Sequence, residues 1–125
     1  MIYPSAAHPI ELRRYPKLAT AIIGNIVLAE SHWALLLREA ALPPQVYFPR
    51  KSVAMTLLGR SSRHSHCPYK GETSYFRIRP LGKSHDDAAW SYEAPYPAMA
   101  DIRDYIAFCP NRVTIELGEV ESSAR

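Results

Sequence analysis

The chain has 125 residues, a mass of 14.1 kDa and a net charge of +3, with 47% hydrophobic and 22% charged residues. A chain of this size is expected to fold as one domain around one core, without staples. No apolar run approaches the roughly 18–20 residues that span a bilayer, and the scattered basic residues argue against a nucleic-acid partner.

Two cysteines without a recognisable leader fit a cytoplasmic protein with reduced thiols. Eleven prolines against five glycines point to short strands and fixed turns, because Pro is excluded from helix interiors and central strands. Residues 1–17 carry Pro4, Pro9 and Pro16 and no clean period, and read as an arm draped over the domain. Residues 18–117 read as a single β-rich domain. Leu18–Ile23 and Ile26–Glu30 are short apolar runs around Gly24-Asn25, a two-residue hairpin turn.

Trp33–Arg38 is expected as a third strand, with helix as the competing reading because Ala, Leu, Arg and Glu favour it. Gln45–Phe48 and Ala54–Leu58 are further β-prone runs, with one helical turn expected at Arg50–Val53. Gly59–Ser65 reads as a polar basic loop, Thr73–Arg79 as a strand with one polar face, Pro80–Asp87 as a loop and Ala88–Tyr92 as a strand. Beyond Pro97, Met99, Ile102, Tyr105 and Ile106 fall at helical spacing opposite Asp101 and Asp104, which predicts a helix over 98–108. Val113–Leu117 is the last expected strand, and 118–125 an acidic loose tail. The expected class is α+β, mostly antiparallel β, with one helix near the C-terminus.

Reactive, charged and aromatic side chains concentrate in two stretches, Cys67-Pro68-Tyr69-Lys70-Gly71-Glu72-Thr73-Ser74-Tyr75 and Ala88-Ala89-Trp90-Ser91-Tyr92-Glu93-Ala94-Pro95. Turns that border strands are where a rigid sheet carries a pocket. Cys67 and Lys70 form the candidate catalytic pair, since Lys70, His64 and His66 are near enough to stabilise a thiolate or take a proton. The plainer reading of Cys67, a small buried residue at a turn, carries more weight. Cys-Pro-Tyr begins like a dithiol motif, but Lys70 occupies the place of the second cysteine.

His64, His66 and Cys67, with His85 as a fourth group, are ligand types that zinc accepts. No short-spaced cysteine pair accompanies them, so no metal is assigned, and the pattern names no cofactor. Gly82-Lys83-Ser84 lacks the upstream glycine of a phosphate-binding loop, where Arg77 stands instead. Arg50 and Lys70 are expected to hold an anion together. Tyr69, Tyr75, Trp90 and Tyr92 are expected to stack on a flat ring beside them, with a core-and-rim role given equal weight.

These motifs resemble the bacterial domain of unknown function family 427. The resemblance runs from about Gly24 to Ile115 through Val27–Ser31, Leu37-Arg38-Glu39, Tyr47-Phe48-Pro49-Arg50, Cys67–Tyr75, Asp87–Tyr92, Pro95 and Tyr105–Phe108. It implies a compact β-tent fold of the Mss4-like kind, shared with methionine sulfoxide reductase B, and a nucleotidyltransferase-like label sometimes accompanies the family. Cys109 stands where the family usually has an aromatic residue, which implies a packing role. The expected function is a pocket for a small anionic or aromatic ligand, a nucleotide or metabolite; the alternative is a non-catalytic protein-interaction module. Whether the chain is an enzyme stays open, with transferase or thiol-dependent chemistry fitting better than metal hydrolysis.

Overall fold

The computed structural model describes residues 1–119, the side chain of Ser84 excepted. Ten strands run through it: β1 (Ile10–Arg14), β2 (Ala19–Ile23), β3 (Ile26–Ser31), β4 (Leu35–Glu39), β5 (Gln45–Phe48), β6 (Leu58–Cys67), β7 (Gly71–Ile78), β8 (Ala89–Ser91), β9 (Ile106–Phe108) and β10 (Thr114–Leu117). They form a seven-stranded sheet, β1-β4-β5-β9-β8-β7-β6, and a three-stranded sheet, β10-β2-β3. Every strand pair is antiparallel. The Gly24-Asn25 turn joins β2 to β3 as expected, with Gly24 at a φ of +58°.

Alternation along the strands sorts the large sheet into two faces. Val46, Phe48, Phe76, Ile78, Ala89, Ile106 and Phe108 point one way and pack with Ala19, Ala21, Leu28 and Ala29 of the small sheet. Phe48 and Phe108 meet edge to face at 5.8 Å within this core. The opposite face carries a second cluster, Leu37, Tyr47, Tyr92 and Ala107, covered by Met99 and Ile102. Register places Leu35, Tyr47, Ala107, Trp90 and Tyr75 in one row across five strands of that face.

The face is concave. A flat sheet would hold β4 and β7 about 19 Å apart, four steps of ~4.8 Å. Instead the β6–β7 turn folds back to the far side: Lys70 ion-pairs with Glu39 at the end of β4, and the Ile2 amide donates to the Pro68 carbonyl at 2.7 Å. The short strands β8 and β9, three residues each, lie at the middle of this curvature.

Five expectations change. The helix over 98–108 is replaced by a 3₁₀ segment, Pro97–Ile102, followed by β9. Its helical spacing is broken where Asp104 takes a φ of +65° and Arg103 bridges to Tyr92, so Ile106 enters the sheet. Gly59–Ser65, expected as a loop, belongs to the ten-residue strand β6. This is an edge strand with both faces polar, so it lacks the alternation that marks half-buried strands.

Ala54–Leu58 forms a 3₁₀ turn at Met55–Leu57 before β6 begins, and most of the expected loop 80–87 lies in the 3₁₀ segment Arg79–His85. The segment expected as an arm contributes β1, in which Ile10 and Leu12 alternate with Glu11 and Arg13 against β4. Of the expected tail, only Gly118 and Glu119 are described, and the Gly118 amide donates to the Leu18 carbonyl at 2.8 Å. The remainder lies outside the described residues.

Candidate functional site

The concave face encloses a cleft of about 330 Å³, lined by Leu37, Glu39, Gln45, Tyr47, Lys70, Thr73, Tyr75, Asp87, Trp90, Tyr92 and Cys109, with Leu42 and Pro43 at the β4–β5 turn. Three strands supply its four aromatic groups by alternation: Tyr47 from β5, Trp90 and then Tyr92 from and just beyond β8, Tyr75 from β7. Trp90 donates its indole N–H to the Tyr47 hydroxyl at 3.4 Å. The Tyr75 hydroxyl shares a 2.8 Å hydrogen bond with Ser65 Oγ, and Tyr92 bonds to the side chain of Thr73. Burial raises both the Tyr47 and the Tyr92 phenols above their ordinary range, so both are neutral at physiological pH.

At one end of the cleft stands a buried charge network. Lys70 is 6% exposed; its ammonium pairs with Glu39 and lies 3.7 Å from Cys67 Sγ. The other Glu39 carboxylate oxygen meets His8 Nε2 at 2.8 Å, and the His8 ring stacks on Tyr69 at 4.2 Å. Burial pushes the Glu39 carboxyl up, but the hydrogen bonds to Lys70 and His8 outweigh it and hold it below its usual value. Burial likewise pulls Lys70 down, and Glu39, with the fields of Tyr92 and Cys67, more than restores it. Lys70 is therefore a fixed cation rather than a free amine nucleophile.

The predicted site residues separate into three places. Lys70, Tyr75, Trp90 and Tyr92 line the cleft. Cys67 packs against the second cluster behind Lys70, and Tyr69 is turned to His8. Arg50 lies on the opposite face, which corrects the expected Arg50–Lys70 anion clamp. Its guanidinium donates to Ser91 Oγ at 3.0 Å and to the Asp104 carbonyl at 2.8 Å, and pairs with Glu93 at 3.1 Å. Ser91 alternates with Trp90 and Tyr92 along the strand, so a residue bound to it cannot share their face.

Glu93 also takes a two-pronged pair of 2.7 Å hydrogen bonds from Arg60. That pair, against some burial, pulls its carboxyl down to about 2. His64 and His66 sit on one side of β6 and Cys67 on the other; His66 is engaged at both ring nitrogens, by Glu72 at 3.1 Å and Tyr96 at 2.9 Å. Among the described residues no three His, Cys, Asp or Glu side chains gather as a ligand set.

Glu39, Tyr47, Thr73, Asp87 and His8 complete the site; the first four lie in the motifs quoted from the sequence, but none of the five was given a role there. Period-2 reading of Gln45–Phe48 would have placed Tyr47 with the concave face. Nothing local marks His8 or Glu39, whose partners are 31 residues further along the chain. Cys109, expected only to pack, stands on the cleft wall.

No curated protein matches the chain significantly. A family model does, over residues 11–119, and so covers the sheets but for Ile10 and every residue that lines the cleft. The chain belongs to the family described as Domain of unknown function (DUF427), which carries the short label NTP_transf_9.

Proposed function

We propose that this domain binds a small metabolite in the concave cleft, with the aromatic row as its wall and the Lys70–Glu39 pair at its end. The observation that carries this reading is the row itself. Tyr47, Trp90 and Tyr75 converge from three strands on one cleft, and four aromatic side chains with a few fixed polar groups are the general form of a small-ligand site. Arg50 and Lys70 are both already matched by carboxylates, which favours the aromatic over the anionic half of the expected ligand class. Cys67 is not on the cleft wall, so binding is the better-supported activity, with thiol chemistry secondary to it.

The nucleotidyltransferase-like label is consistent with a nucleobase-sized occupant and adds no residue assignment. A β-tent architecture of the Mss4-like kind and a cytoplasmic location belong to the same reading; the free thiols of Cys67 and Cys109 suit the latter.

The test is a panel of nucleosides, nucleotides, aromatic acids and organic amines, read by Trp emission and thermal shift. Trp33 is 61% exposed, so Trp33→Phe leaves Trp90 as the single reporter. At least one class should quench Trp90 and raise Tm, and Trp90→Leu should lose the Tm shift. A panel without any response, or shifts that survive Trp90→Leu, would remove the cleft as the site.

A further inference from the structure

Two carboxylates, Glu39 and Asp87, line the cleft against one ammonium, Lys70. Glu39 cancels Lys70 within a buried ion pair, which leaves Asp87 as the charge of the remaining wall. Its partner is Arg63, 3.8 Å away and largely exposed at the mouth. The Arg63 guanidinium also lies over the Tyr75 ring, 4.7 Å from its centroid. A cation, an aromatic face and a carboxylate therefore already stand together at the rim, with the chain's own side chain as the cation.

The ring faces of Trp and Tyr carry negative quadrupole potential, and a weakly hydrated cation gains more from them than from water once the site is closed. An anion entering the same space would meet Asp87 and the π faces, with no cation among the described residues of the cleft wall that lacks a carboxylate. We propose that the occupant is an organic cation of the alkylated-ammonium class, its positive group seated among Trp90, Tyr75 and Tyr47 and faced by Asp87. This inference rests on the cleft being a ligand site and adds the sign of the ligand's charge.

The neutral phenols of Tyr47 and Tyr92 suit this class. They offer polarised rings without a second negative charge to hold in low dielectric. The volume, about 330 Å³, admits a trimethylammonium group with a short tail.

The test uses choline and its uncharged isostere, 3,3-dimethylbutan-1-ol, titrated into the full chain carrying Trp33→Phe, with adenosine 5′-monophosphate and benzoate as anionic competitors. Choline should bind about tenfold or more tightly than the isostere, as a desolvated cation–π site predicts. Asp87→Asn should weaken choline about fivefold and leave the isostere unchanged. Arg63→Ala, which removes the internal cation from Tyr75, should keep or tighten choline binding, and since Arg63 is exposed this variant should fold normally. Equal affinity of choline and its isostere, or tighter binding of either anion, overturns the charge assignment while the pocket stands. Silence of choline in the parent protein likewise overturns the charge assignment, whereas the pocket falls only with silence of the whole panel above.

Discussion

Glu39 and Lys70 join two ends of the large sheet that a flat arrangement would keep far apart. One closes β4 and the other sits in the β6–β7 turn, and their contact fixes the curvature that makes the cleft. Removing one partner leaves a buried charge without compensation, which costs about 3–5 kcal/mol. Glu39→Gln and Lys70→Met should each lower the urea midpoint strongly. The double variant should be less unstable than the sum, because no lone charge remains. Strictly additive losses would mean that the two groups do not share their stabilisation.

The charge networks also set a pH profile. Glu93 has its carboxyl lowered from 4.5 to about 2, and Glu39 is lowered too. A depressed carboxyl contributes stability above its unfolded value and loses it as pH falls through the folded one. Stability should therefore decline from about pH 4.5 towards about pH 2. Lys70, raised from 10.5, works in the opposite sense: its share is present below that value and fades as pH rises through the folded one. Chemical denaturation across pH should show a flatter acid limb for Glu93→Gln than for the parent. Superimposable acid limbs would show that Glu93 is not a contributor.

Gly71 holds the turn that presents Lys70. Its φ is +116°, and an added Cβ would stand 3.4 Å from the Ala94 carbonyl oxygen and 3.5 Å from the Pro95 Cα. The space is ordinary, so the cost is in the backbone, about 1–3 kcal/mol for a side chain held in a sparsely populated region. Gly71→Ala should lower stability by that amount and, by shifting Lys70, should also reduce ligand affinity. A variant as stable as the parent would mean the turn relaxes without strain.

How much of this was readable in the chain follows from where each signal lies. The β2–β3 hairpin was legible because Gly24-Asn25 is a local turn code between two apolar runs. β4 was legible as a strand despite helix-forming residues, and its alternation places Leu35, Leu37 and Glu39 on one face. β6 was missed because an edge strand that is polar on both faces has no period to read. The helix expected over 98–108 came from a true apolar spacing serving another purpose. Met99 and Ile102 cover the concave face from a 3₁₀ turn, and Ile106 belongs to the opposite core. Of the site, the aromatic members on β7 and β8 stood out by type. The Glu39–Lys70–His8 network did not, because it is made by sheet curvature, which no local pattern encodes.

The separation of Arg50 from the cleft gives the last prediction. Arg50 is bound to buried Ser91 and to Glu93 on the face opposite Trp90, so its role is to hold β8 to the turn at Asp104. Arg50→Ala leaves the Ser91 hydroxyl short of a partner and Glu93 short of one of its two guanidiniums, a loss of about 1–3 kcal/mol. Affinity for any small molecule that quenches Trp90 should change by less than about twofold, the scatter expected of a residue with no ligand contact. Trp90→Leu should do the reverse, abolishing binding. Its own stability loss should be modest, because the indole is only half-buried. If Arg50→Ala instead removes binding while the fold persists, the ligand sits on the Ser91 face and the concave cleft is not the site.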